Sequence, residues 1–160
     1  MASYLPDLSR DNISFYLIPA AWAIALMPRV FAANTYKKAS NKDMNTLQPR
    51  DFVKNVLEDQ SVDSKTKGRI VRAEAAQANG FENLGLFAAA VAAGNAARLD
   101  ASVMNGLSIG YVVSRFIYNH IYIFNDIVPP VVRSLTYMGG VGMCMALFVQ
   151  AGTAMKNSLL

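Results

Sequence analysis

Apolar residues run along this chain in four long stretches, at about 13–36, 68–99, 101–124 and 130–153. Each approaches or exceeds the ~20 residues that carry a helix across a bilayer. The pattern predicts an all-α fold, a four-transmembrane-helix bundle occupying 1–160 as one domain. Tight connections fall near Asp100 and at 125–130, where Pro129 and Pro130 stop one helix and start the next. Pro19 and Pro28 predict a bend in the first helix. Residues 39–67 are polar, with an amphipathic helix expected at 49–58 that presents Phe52, Val53, Val56 and Leu57 to the membrane surface.

Composition moves the class in the same direction. The chain is 53% hydrophobic and 16% charged, against roughly 25% charged in soluble domains. The segment at 20–30 reads as a retained anchor rather than a cleavable signal, because Arg10 is the only positive charge before it and no small-residue cleavage pattern follows. The net charge is +4, and its distribution matters more than its size. Lys37, Lys38, Lys42, Arg50, Lys54, Lys65, Lys67 and Arg69 cluster between the first two crossings, against Arg10, Arg98 and Lys156 on the other side. This asymmetry places the loop 37–67 in the cytoplasm. No aromatic stacking pattern accompanies the charge, so nucleic acid is not the partner. Cys144 and His120 are each alone in the sequence, which leaves no disulfide or metal site within one chain.

Polar residues inside the apolar stretches carry the chemistry. Arg72, Glu74, Asn79, Glu82 and Asn83 run without a turn residue into 84–97, so one helix holds them all. Each ionised group costs on the order of 3 kcal/mol at the bilayer centre and is kept where a partner or a function repays it. At 100° per residue Arg72, Asn79 and Asn83 lie within about 40° of one another, with Glu82 about 60° from Asn79. On the next helix Tyr111, Arg115, Tyr118 and Tyr122 follow steps of four, three and four and share a face. Arg133 and Tyr137 lie one turn apart on the last helix, and Arg29 comes from the first. The expected topology puts Arg29, Arg72, Arg115, Tyr118, Tyr122 and Arg133 in the cytoplasmic half, with Glu82 near the midplane. Two readings compete: interhelical pairing with nothing bound, or an anionic ligand. Four arginines against two carboxylates favour the ligand, a small zwitterion with more than one carboxylate, since guanidinium binds carboxylate through a paired fork. Small residues at Ser102, Gly106, Gly110 and Ser114, and at Ala88, Ala89, Ala92, Ala93 and Ala96, read as close-packing surfaces.

These residues resemble those of the MAPEG family, membrane-associated proteins in eicosanoid and glutathione metabolism. Arg72, Asn79 and Glu82 resemble its arginine and Asn-x-x-Glu signature ahead of an apolar run. Arg115, Tyr118 and Tyr122 match its spacing on the third helix, Arg133-Ser-Leu-Thr-Tyr resembles the start of its fourth, and Arg29 is a weaker match. One position departs: Ala75 stands where many members carry arginine, and Arg72 lies about a turn away. The resemblance implies a homotrimer of four-helix protomers, with glutathione as co-substrate held between neighbours near the cytoplasmic face of the endoplasmic reticulum. It also implies binding roles for Arg29, Arg72, Asn79, Glu82, Arg115, Tyr118 and Tyr122, and a thiolate-stabilising role for Arg133.

The expected function is a membrane-bound glutathione transferase, with peroxidase activity as an extension, that attacks lipophilic electrophiles arriving from the bilayer. The alternatives are an isomerase or cyclase of a membrane-soluble metabolite, a small proton-coupled transporter, disfavoured by the arginine surplus, and a non-catalytic scaffold or lipid-presenting protein.

Overall fold

Every regular element among the described residues is helical; the computed structural model describes residues 7–125 and 129–158. After a 3-10 turn, Ser14–Tyr16, come α1 (Leu17–Ser40), a second 3-10 turn, Pro49–Asp51, that leads into α2 (Phe52–Glu58), then α3 (Ser64–Ala96), α4 (Ala101–Ile123) and α5 (Pro130–Ser158). Four of the five are long, at 24, 33, 23 and 29 residues for α1, α3, α4 and α5. At ~1.5 Å per residue each exceeds the ~30 Å hydrocarbon layer. Ser14–Ser40 and Val131–Asn157 are apolar enough to cross it by composition alone. α3 and α4 pack together at the centre and both touch α1 and α5. Part of the 125–130 connection lies outside the described residues.

Local chemistry sets the helix ends. Asp63 starts α3, its Oδ1 accepting the N–H groups of Lys65 and Thr66 at 3.0 Å each, which satisfies donors that a helix start leaves open. The helix therefore begins inside the segment expected to be loop, and Lys65 and Lys67 ride on its first turn. α1 ends at Asn41, whose φ of 56° lets its N–H close on the Lys37 carbonyl at 3.0 Å, a conformation asparagine tolerates well.

Two apolar clusters hold the bundle. One joins Ala21, Phe87, Val91, Met104, Tyr111, Cys144 and Leu147, with the Phe87 and Tyr111 rings stacked 4.0 Å apart. The other gathers Ala32, Tyr36, Phe52, Val56, Ile70 and Ile123. It corrects the expectation for 49–58 in part: Phe52 and Val56, at 2% and 0% exposure, are buried in the protein rather than turned to a membrane surface, while Leu57 stays 52% exposed. Burying two such side chains is worth roughly 1.5–3 kcal/mol each, enough to pin a seven-residue helix.

The small-residue stripe of α4 is used along half its length. Gly110 faces Met143 and Ser114 faces Gly140, whereas Gly106 meets nothing and Ser102 is exposed. At the N-terminal end of the chain Asn105 closes the bundle: its Oδ1 accepts Ile13 N–H at 2.9 Å, and its Nδ2 donates to the Leu8 and Asp11 carbonyls at 2.9 and 2.8 Å. Along the outer side of α3, Ala78, Glu82, Gly85, Ala89, Ala92 and Ala96 are all exposed.

Candidate active site

The tyrosine face of α4 turns toward α3 and α5. Tyr118 is 4% exposed, and its ring centre lies 5.4 Å from Tyr122 and 5.9 Å from Tyr137. Asn83 of α3 reaches the same layer, donating to the Asn79 carbonyl at 2.8 Å and to the Tyr137 hydroxyl at 3.4 Å. Tyr111 donates to the Asn83 carbonyl at 3.3 Å. Asn79 thus enters the layer through its carbonyl.

Arg133 sits at the start of α5 with its Cζ 4.8 Å above the Tyr122 ring. Together with Tyr118, Ser134, Tyr137 and Met138 it lines an open cleft of about 250 Å³. Among the described residues no carboxylate pairs with it. A guanidinium held by an aromatic face and directed at a polar cleft is positioned for an anion from outside the fold.

The other arginines are committed within the protomer. Arg29 forms an ion pair with Glu74. Its Nη2 also donates to the Pro49 carbonyl at 2.9 Å and to Met44 Sδ at 3.1 Å, and its Cζ lies 4.9 Å over Phe52. It ties α1 to α3 and to the loop, apart from the cleft. Arg72 donates from Nε to the Ile123 carbonyl at 3.0 Å, at the C-terminal end of α4, where a cation complements the helix dipole. Arg115 is 4% exposed and donates to the Tyr137 carbonyl at 3.0 Å. Its path crosses Gly140, where a Cβ would overlap the guanidinium.

Glu82 lies elsewhere, exposed on the outer face of α3 with no ion pair among the described residues. The structure therefore brings Arg115, Tyr118, Tyr122 and Arg133 together with Tyr137 and Asn83, touches Asn79 through its backbone carbonyl within α3, leaves Arg72 at the edge of the layer, and within the protomer separates Arg29 and Glu82 from it. Ser134 joins the cleft without having stood out in sequence; its only signal was adjacency to Arg133. A second, apolar cavity of about 190 Å³ opens between α1 and α4, where Met27, Phe31, Phe116 and Phe124 meet His120. These α4 positions lie opposite Tyr118 and Tyr122 around the helix. This cavity suits hydrocarbon rather than the reacting groups.

The sequence model of the MAPEG family matches residues 14–153, from the turn before α1 into α5. The chain belongs to the MAPEG family. No curated relative and no solved structure matches it. Membership extends over all four long helices of this MAPEG protein, and with the two apolar spans it marks an integral membrane protein. The family includes glutathione transferases and isomerases, so membership leaves the reaction to be argued from the cleft.

Proposed function

We propose that this MAPEG protein is a membrane-bound glutathione transferase, with Arg133 stabilising the glutathione thiolate for attack on a lipophilic electrophile. The observation that carries the reading is Arg133 itself, aligned over Tyr122 at the mouth of a polar cleft and without a counter-ion among the described residues. A free thiol with a pKa near ~8.5 is mostly protonated at neutral pH. Lowering that value by about two units takes roughly 2.7 kcal/mol of preference for the charged form, within reach of a guanidinium in a partly dry site. The thiol proton leaves to water and the sulfur lone pair forms the new bond to the electrophilic carbon, whose broken bond gives up its electron pair either to a departing leaving group or, for a conjugated double bond, to the far atom, which then takes a proton from water. Tyr118 and Tyr137 border the space beside the sulfur.

The remaining contacts come from between protomers. Ala78, Glu82, Gly85, Ala89, Ala92 and Ala96 are exposed on α3 at alternating steps of four and three, the spacing of a seam between helices, and all but Glu82 are small enough for close approach. This is the support for a homotrimer. Glu82 lies in that seam, where the ammonium of glutathione or a neighbour's arginine compensates its charge. The endoplasmic reticulum and a cytoplasmic 37–67 loop complete the proposal.

The test is glutathione titration of the detergent-purified protein, following calorimetric heat and thiolate absorbance near ~240 nm, in wild type and Arg133→Ala. Binding with a thiolate signal that disappears in the variant supports the transferase. Binding without thiolate moves the reading to an isomerase on the same cleft, and absence of binding removes glutathione and makes the arginine missing at Ala75 decisive.

A further inference from the structure

Pro28 lies inside α1 and has no N–H to give, so the Ile24 carbonyl one turn earlier loses its helical donor. Asn119 of α4 replaces that donor, its Nδ2 reaching the Ile24 carbonyl at 2.9 Å. A carbonyl only accepts, so this bond fixes which end of the Asn119 amide faces α1. The amide oxygen is left as an acceptor, and among the described residues nothing donates to it. Asn119 is 9% exposed, a depth at which polar groups are normally satisfied.

The cavity of about 190 Å³ between α1 and α4 opens at this place. Its walls include Met27 and Phe31 from α1 and Phe116 and Phe124 from α4, and its polar residues are Asn119 and His120. His120 lies in the last turn of α4. Its ring centre is 4.8 Å from that of Phe124, and the imidazole makes no hydrogen bond among the described residues. A neutral imidazole has one donor and one acceptor nitrogen. Two neighbouring residues thus bring an open acceptor and an open donor to a chamber that is otherwise apolar.

We propose that this cavity binds a lipid-soluble phenol, its ring among the phenylalanines, its hydroxyl donating to Asn119 Oδ1 and accepting from the His120 ring N–H. The site is separate from the Arg133 cleft and does not depend on glutathione. A cavity of about 150 Å³ lined by aliphatic and aromatic side chains takes a benzene ring, so the volume here also admits the hydroxyl. Met27 and Phe116 are 49% and 53% exposed, which leaves a side opening to the bilayer for an alkyl tail. An acyl chain would fill the same walls but leave both polar groups without a partner. A carboxylate has no donor for Asn119 Oδ1 and brings a charge into an apolar chamber. One water takes about 10–15 Å³ of such space and would leave the aromatic walls facing a void.

The experiment is fluorine NMR titration of the full chain in detergent with para-fluorophenol and with para-fluorotoluene, which carries a methyl in place of the hydroxyl, each corrected for uptake by protein-free micelles. The phenol is expected to bind saturably, at one site per chain, about tenfold more tightly than the toluene. His120→Phe keeps a ring and loses the donor, and the preference should fall to about threefold. Met27→Trp fills the cavity from its open side and should abolish binding of both, whereas Arg133→Ala should alter neither. A phenol that does not bind saturably, or binds no more tightly than the toluene, overturns the proposal. So does phenol binding that survives Met27→Trp or disappears in Arg133→Ala, which would place it elsewhere. Should His120→Phe not fold, the comparison of the two ligands on the wild type decides without it.

Discussion

Arg29 of α1 and Glu74 of α3 form an ion pair across the two helices, and the same guanidinium holds the Pro49 carbonyl and covers Phe52. One side chain thereby fastens the membrane bundle to the segment that precedes α2. In the family resemblance this arginine is a ligand contact, but its donors are turned to the protein.

Replacing Arg29 with alanine leaves the Glu74 carboxylate half-enclosed and unpaired. Removing one partner of a fully buried pair costs about 3–5 kcal/mol; with side chains 18% and 13% exposed, a loss of about 2–3 kcal/mol is expected here. Thermal unfolding of Arg29→Ala should show it, while calorimetry on the folded protein gives a glutathione affinity within about twofold of wild type. A kept melting temperature with lost affinity would return Arg29 to the ligand.

The loop between α1 and α3 has a second fastening at Asp59. Its carboxylate accepts Lys42 Nζ at 2.8 Å, Ser61 Oγ at 2.7 Å, the Ser61 N–H at 2.9 Å and the Tyr36 hydroxyl at 2.8 Å. Lys42 first, then Ser61 and Tyr36, hold this carboxyl well below the usual carboxylate range. A folded-state pKa below the unfolded value of about 3.9 means that the clasp contributes fully above that pH and is lost as pH falls below it. Limited proteolysis of the loop should therefore be slow and constant from about pH 5 to 7 and accelerate below about pH 4. Asp59→Asn should be cut faster at pH 7 and lose the acid step; an unchanged cleavage profile would remove Asp59 from the fastening.

The shared face of Tyr111, Arg115, Tyr118 and Tyr122 was legible in sequence because steps of three and four settle which side chains share a helix face. The depth of Arg115 was not, since it depends on Gly140 of α5 leaving room for the guanidinium. The Arg29–Glu74 pair spans 45 residues and requires knowing that α1 lies against α3. The apolar face at 49–58 was visible as amphipathic, but an apolar stripe does not state whether lipid or protein covers it. Counting arginines does not show which are engaged inside the protomer: Glu74 pairs with Arg29, the Ile123 carbonyl accepts from Arg72, and Arg115 is buried against tyrosine rings. Arg133, at the start of its helix and beside an open cleft, has no carboxylate partner among the described residues.

The outer face of α3 gives the last prediction. A stripe of alanine and glycine exposed to hydrocarbon gains nothing from its small size, whereas against another helix it allows backbones to approach closely. Gly85 is the test position because a Cβ there meets no atom within 4 Å of the protomer, so a leucine leaves the protomer's own packing intact. Gly106 on α4 is equally open and serves as the control. In mild detergent the wild type and Gly106→Leu should have the mass of a homotrimer and equal glutathione turnover. Gly85→Leu should dissociate to protomers, with turnover reduced about a hundredfold, because Glu82 and Arg133 no longer face a neighbour in register. A Gly85→Leu protein that stays trimeric and fully active would place the contact on another face and return Glu82 to the lipid, where an exposed carboxylate has no reason to persist.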